Sequence, residues 1–252
     1  MTKILDDLND QQREAVLAID GPVLMLAGAG SGKTKTLTHR LAYLVQEKKV
    51  NPANILAVTF TNKAAGEMRR RVARLLRFDE NNSQYLPFLG TFHSIANRIL
   101  RREAAEIGYS SNFLIYDTSD SQSLIKKILK DLKIDEKQIT PSGIANAISS
   151  AKNELISPNE YKAFATGKIQ EAAAQVYPIY QKELLKAGAM DFDDLIMKLT
   201  VLLIENETIR KKYQKQFEYI LVDEYQDTNQ AQYQMVKLLA QTHHNICVVG
   251  DD

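Results

Sequence analysis

The stretch Val23-Leu24-Met25-Leu26-Ala27-Gly28-Ala29-Gly30-Ser31-Gly32-Lys33-Thr34 decides how the rest of the chain is read. Its first five residues form a continuous apolar run behind the breaker Gly21-Pro22, the pattern of a strand buried on both faces. Gly28, Gly30 and Gly32 then predict a tight loop, and a helix is expected from Lys33 to about Glu47. A strand, a glycine-rich loop and a helix N-terminus in that order make a cradle for phosphate. Backbone N–H groups close around the oxygens, and the helix end adds a partial positive charge. Ala27, Gly28, Ala29, Gly30, Ser31 and Gly32 are the expected cradle residues. Lys33 is expected to reach the β- and γ-phosphates of ATP, and the Thr34 hydroxyl to coordinate Mg²⁺. One position departs from the general pattern G-x-x-x-x-G-K-[ST], which asks for glycine where Ala27 stands. A glycine-rich turn of no special meaning would not need strand, loop, Lys-Thr and helix in this order.

On either side of this stretch the pattern alternates between strand and helix. A helix is expected from Asn9 to Ile19, capped by Asn9 or Asp10. Ile55 to Phe60 reads as a second buried strand. Asn62 to Arg77 reads as a helix with Met68, Val72, Leu75 and Leu76 on one face. Arg69, Arg70, Arg71, Arg74 and Arg77 lie away from that face, and a solvated surface is the favoured reading for them. A third strand is expected over Leu86 to Gly90 and a helix over Ser94 to Ile107. From about Tyr109 to Ala189 strand signals vanish and amphipathic helices follow one another. Strand signals return at Tyr219 to Val222 and Asn245 to Gly250, with a helix from about Asn229 to Gln241 between them. The expected fold is α/β: a parallel sheet with helices on both faces, interrupted by an all-helical inserted subdomain. The expected division is 1–108 and 190–252 for the core, with 109–189 inserted.

Asp223 and Glu224 follow the β-prone run Tyr219-Ile220-Leu221-Val222 at once. Carboxylates at the C-terminal end of a strand sit on the ligand edge of an open α/β sheet. Alone, such a pair is usually a solvated turn. Beside a phosphate loop it gains a chemical role. Asp223 would hold Mg²⁺, through water, and Glu224 would polarise the attacking water as general base. Lys33 and Asp223 lie 190 positions apart, more than a bare core needs, and the inserted subdomain accounts for the excess.

Composition excludes several classes. The 252 residues are 44% hydrophobic and 25% charged, an ordinary globular balance. Net charge is only +1, so any nucleic-acid contact must come from a local patch rather than bulk charge. Cys247 is the single cysteine, which rules out an internal disulfide and fits a reducing cytoplasm. No apolar run reaches the length of a membrane span, and the N-terminus lacks the pattern of a signal peptide.

Taken in order, the short motifs resemble those of the UvrD/Rep/PcrA group of superfamily 1 DNA helicases over essentially the whole chain. Leu8–Gln12 (LNDQQ) looks like the Q motif, and Ala27–Thr34 (AGAGSGKT) is that group's form of the phosphate loop, which accounts for Ala27. Thr59–Ala65 (TFTNKAA) resembles motif Ia and Gly90–Ser94 (GTFHS) motif Ib. Asp191–Leu195 (DFDDL) is similar to motif Id and Val222–Asn229 (VDEYQDTN) to motif II. The resemblance implies a RecA-like core and ATP-driven 3′→5′ translocation on single-stranded DNA and 3′-tailed duplex. It implies that Gln12 reads the adenine edge and that Lys35 stands where the group commonly has an arginine against the adenine. Lysine lacks that planar stacking surface. The resemblance also implies DNA contacts at Thr59, Phe60, Thr61, Asn62 and His93, and coupling of the two sites through Gln226 and Asp227.

An aromatic just past a strand can stack on any base. Phe60 also reads as a core aromatic, and His93 as a satisfied structural histidine. The chain ends at Val248-Val249-Gly250-Asp251-Asp252, where the resemblance opens motif III, and it contains no tryptophan. The resemblance therefore implies a fragment without the second RecA-like motor domain and its arginines. Repair or replication proteins are expected partners of the whole. Two readings compete: a motor part of a helicase, and a nucleotide-dependent DNA-binding module without turnover. A phosphoryl-transferring kinase would need an acceptor lid, and TFTNKAA with VDEYQDTN argues against it.

Overall fold

A computed structural model describes residues 4–28, 30–79, 85–135 and 138–251. They form two compact units. The first draws on the described residues within 1–95, 206–228 and 236–252, the second on those within 96–205 and 229–235.

The first unit is built on strands β1 (Val23–Leu26), β2 (Ile55–Thr59), β3 (Leu89–Thr91), β6 (Tyr219–Val222) and β7 (Ile246–Gly250). They lie in the order β1-β7-β6-β2-β3, and every pairing is parallel. All five C-terminal ends therefore share one edge of the sheet. Parallel strands need crossovers, and helices supply them, covering both faces. All five residues of β2 are buried, which a strand covered on one face alone would not show. The expectation of burial on both faces is corrected for β1: it is an edge strand, and its Leu24 and Leu26 are 60% and 56% exposed. Helices α2 (Lys33–Gln46) and α3 (Asn62–Leu76) press Leu37, Leu41, Met68 and Val72 onto Ile55, Ala57, Leu221 and Val249. By strand alternation Leu56, Val58, Ile220 and Val222 face the other way, and they too are fully buried. Phe88, Phe217 and Tyr213 of α9 (Glu207–Gln216) form a second apolar group, Phe88 and Phe217 meeting edge-on at 4.9 Å.

Helix α1 (Asp10–Leu17) begins at a capping box in which Asn9 and Gln12 satisfy each other's backbone N–H. Its far end is held by Arg40, which is buried and donates to the carbonyls of Ala15 and Ile19 at 2.7 and 3.0 Å. A guanidinium thus satisfies carbonyls that the helix end leaves open.

The second unit contains most of α4 (Phe92–Arg102), then α5 (Thr118–Asp131), α6 (Pro141–Asn153), α7 (Lys168–Lys186) and α8 (Phe192–Glu205), with the first half of α10 (Gln230–Ala240). Ile125, Leu129, Ile144, Ile148, Val176 and Tyr180 fill its core. It also holds two strands, β4 (Leu114–Tyr116) and β5 (Ala189–Asp191), paired in parallel. The all-helical expectation for 109–189 is corrected on this point. Each strand has three residues, too few to show a period of two against a helical background.

Two further boundaries shift. The third strand lies at Leu89–Thr91 rather than from Leu86, because Leu86 and Phe88 are buried from within a turn around Pro87. The helix expected from Ser94 to Ile107 starts at Phe92 and stops at Arg102, and a separate 3₁₀ turn spans Ala104–Ile107. Among the described residues, no helix is long and apolar enough to cross a membrane.

Candidate nucleotide site

The common edge of the sheet gathers residues distant in sequence. Gly32 sits at the N-cap of α2 with φ of 87°, a left-handed conformation that suits glycine. A Cβ there would also collide with the Gln12 side-chain nitrogen at 2.7 Å. That nitrogen donates to the Ser31 carbonyl at 2.9 Å, so Gln12, in the first turn of α1, braces the loop while its oxygen serves the capping box. Ala29 lies outside the described residues. The Ser31 N–H closes the loop onto Gly28 O at 3.3 Å.

Lys33 emerges from this loop, and its ammonium has three acceptors: the carbonyls of Ala27 and Gly28 and the carboxylate of Asp251. Its three donor positions are thereby used by the protein itself. A phosphate entering the cradle would compete with Asp251, an exposed partner and the only charged one of the three.

Thr34 donates to the Asp223 carboxylate at 3.1 Å, joining the first turn of α2 to the end of β6. Asp223 is 3% exposed, and burial pushes its carboxyl above the ordinary carboxylate range, with the Thr34 hydroxyl bond working the other way. A part-buried hydroxyl–carboxylate pair on a phosphate-facing edge is a hard-oxygen donor set. It fits Mg²⁺, which takes one or two protein oxygens and fills its octahedron from phosphates and water. Among the described residues no cluster of three or more acidic, histidine or cysteine side chains is placed to cage a metal, so a divalent ion here would depend on those outside ligands.

Glu224 follows in the left-handed region at φ 53° and ψ 46°, uncommon for a residue with a Cβ. Its carboxylate accepts from the Gln226 amide at 2.8 Å, and the Gln226 oxygen in turn accepts from the Asp251 N–H at 3.1 Å. Gln226 thus bridges the ends of β6 and β7. Gly250 lies so close that a Cβ would stand 3.0 Å from the Gln226 oxygen.

Thr59, Phe60 and Thr61 line the same cleft, whose volume is about 840 Å³. Thr59 is buried and donates to the Thr61 carbonyl at 3.1 Å, and the Thr61 hydroxyl caps α3 by accepting from the Ala64 N–H. Phe60 is half-buried, its ring tilted against Phe92 at 5.5 Å. Asn62 opens α3. His93 lies in the first turn of α4, where burial holds its pKa below the ordinary histidine value. Sequence reasoning gives Asp251 no role. Its signal is topological: β7 pairs with β1, so the residue after Gly250 must face the phosphate loop.

Residues 8–252 match the UvrD/REP helicase N-terminal domain. The chain belongs to that family. It is 51% identical over 249 residues to the ATP-dependent DNA helicase PcrA of Bacillus subtilis strain 168, covering 99% of this chain and 33% of the relative. The PcrA proteins of Leuconostoc citreum and Staphylococcus aureus strain Mu50 are each 49% identical over 98% and 100% of this chain, and 33% and 34% of their own length. The chain thus spans about a third of the length of these curated relatives. Within the UvrD/REP family match fall Gln12, the phosphate loop, Asp223 and Glu224, the residues that this edge of the sheet brings together.

Proposed function

We propose that this chain is the ATP-binding motor domain of a 3′→5′ DNA helicase that translocates on single strands and serves DNA repair or replication. The Thr34–Asp223 bond carries the reading. It couples the phosphate loop to the acidic strand end at the point where a metal–triphosphate would sit. Thr34 and Asp223 would hold Mg²⁺, which would supply neutralising positive charge to a bound triphosphate. Lys33 would leave Asp251 for phosphate oxygens. Glu224, held by Gln226, would orient the attacking water and take its proton.

Gln226 spans the ends of β6 and β7, which suits a lever that moves when the phosphate state changes. We read Phe60, Thr61 and Asn62, with His93, as the side that meets single-stranded DNA. The second compact unit is read as the inserted subdomain, mainly helical with a two-stranded sheet. Unwinding of 3′-tailed duplex would belong to the whole protein, with a second RecA-like domain.

The test is binding of a fluorescent ATP analogue. Lys33→Ala should weaken it at least tenfold, matching loss of a charged hydrogen bond of about 1.5–3 kcal/mol. Asp223→Ala should remove the Mg²⁺ dependence, and Glu224→Gln should leave binding intact. Equal affinity of wild type and Lys33→Ala would sink the assignment.

A further inference from the structure

The arginine-rich face of α3 reads from sequence as solvated surface, yet part of it walls a cleft. Lys35, Thr38 and His39 of α2 stand at i, i+3 and i+4, one face of that helix. Arg71, Arg74 and Leu75 of α3 stand at the same spacing and face them. Together the six line a pocket of about 300 Å³. Thr38 and His39 are buried on its floor, while Arg71 and Arg74 are exposed at its rim. The His39 ring donates to the Ile4 carbonyl, which fixes its orientation. Lys35 donates to the Asp7 carbonyl, and Arg71 pairs with Glu67 one helical turn back.

The charges of this pocket contrast with those of its neighbour. The phosphate-loop cleft is lined by three cations, Lys33, Lys35 and Arg71, against five carboxylates: Glu67, Asp223, Glu224, Asp227 and Asp251. A polyphosphate enters such a place only with a divalent cation. The side pocket shares Lys35 and Arg71 with that cleft, adds Arg74, and among the described residues has no carboxylate in its lining. Glu67 touches Arg71 from outside, an exposed pair worth little in water. Asp7 acts on His39 only through its charge. Arginine forks at a rim over a partly buried floor match phosphate oxygens two at a time.

We propose that the cleft between α2 and α3 is a second anion site, taking a phosphate-bearing small molecule of pyrophosphate size without a metal. It is separate from the phosphate loop and stands whether or not the helicase reading does. A ligand there would draw on Lys35 and Arg71 and so communicate with the nucleotide cleft.

Inorganic pyrophosphate is the probe, titrated calorimetrically in EDTA. Wild type and Lys33→Ala should bind it alike, and Arg74→Glu should weaken binding by about tenfold or more, about 1.4 kcal/mol. The fluorescent ATP analogue with Mg²⁺ should still bind Arg74→Glu, which also reports that the variant is folded. Should that variant fail to fold, the ring protons of His39, assigned with His39→Gln, give a direct reading by NMR. They should shift on adding pyrophosphate to wild type in EDTA. Binding that disappears in Lys33→Ala would assign the anion to the phosphate loop and overturn the proposal. Absence of binding in EDTA, or unmoved His39 protons under saturating pyrophosphate, would overturn it equally.

Discussion

At the scale of single residues, the backbone strain of the proposed site is carried by Glu224. Glu224 adopts the left-handed region with a full side chain, which costs an L-residue roughly 1–2 kcal/mol. Glycine takes that conformation freely but loses more entropy on folding, by about 0.5–1 kcal/mol. Glu224→Gly is therefore expected to raise stability by about 1 kcal/mol in chemical denaturation while ending ATP turnover. A loss of stability would mean that the Gln226–Glu224 bond outweighs the backbone strain. Phe60 poses a different question, since its ring already has a partner in Phe92. An edge-tilted aromatic pair is worth about 0.5–1.5 kcal/mol, and stacking on a base about 1–3 kcal/mol. Phe60→Ala should lower the affinity for labelled oligo-dT by the larger amount and the unfolding free energy by the smaller. Loss of stability with unchanged DNA affinity would assign Phe60 to the core alone.

Among the elements, the junction of β5 and α8 concentrates buried charge. The Lys152 ammonium is fully buried, 2.6 Å from the Asp191 carboxylate and 3.0 Å from that of Asp194. Burial works against its charge, yet Asp194 and Asp191 hold its pKa above the ordinary lysine range. Tyr180 donates to Asp191 at 2.9 Å and Gln181 to Asp194 at 2.7 Å, while the two aspartates accept each other's backbone N–H. Lys152→Met would leave two buried carboxylates uncompensated and should cost about 3–5 kcal/mol. Adding Asp191→Asn and Asp194→Asn should recover part of that. Denaturant unfolding of the single and triple variants checks it, and equal stability of Lys152→Met and wild type would contradict it.

This junction also marks where the sequence stops being readable. β2 and β6 are legible as continuous apolar runs, because burial on both faces leaves no alternation to decode, whereas β1 reads the same way in sequence although Leu24 and Leu26 are exposed on one of its faces. Gly28 to Thr34 and Asp223-Glu224 were legible because their chemistry is local to a loop and a strand end. β4 and β5 are too short for any period, and Lys152 reads as surface until α6 and α8 bring it to the aspartates. Asp251 could not be assigned from its neighbours, because which strand pairs with β1 is a property of topology.

The whole molecule follows from that topology. With β1, β7, β6, β2 and β3 all parallel, every strand delivers its C-terminal residue to one edge, and the phosphate loop, Asp223, Asp251 and Phe60 meet there. What this edge can do to a triphosphate is limited by its charge. Of the cations lining the cleft, Lys33 is tied to Asp251 and Arg71 to Glu67, and carboxylates outnumber them. Phosphoryl transfer to water depends on neutralising charge around the γ-phosphate as it leaves. In the proposed reading, Lys33, a Mg²⁺ ion and Glu224 as base would supply part of this. An arginine aimed at the γ-phosphate adds about 10³–10⁵ in rate, or roughly 4–7 kcal/mol. The family resemblance assigns such arginines to a second motor domain. Translocation also requires two domains that close on ATP and reopen after hydrolysis. A purified chain of these 252 residues should therefore bind ATP with Mg²⁺ yet hydrolyse it well below about 1 s⁻¹, the low end of ordinary enzyme rates, and displace no strand from a 3′-tailed duplex. DNA-stimulated turnover at or above that rate would show that the cleft completes its own charge compensation, with Lys35 or Arg71 the first cations to replace in search of the source.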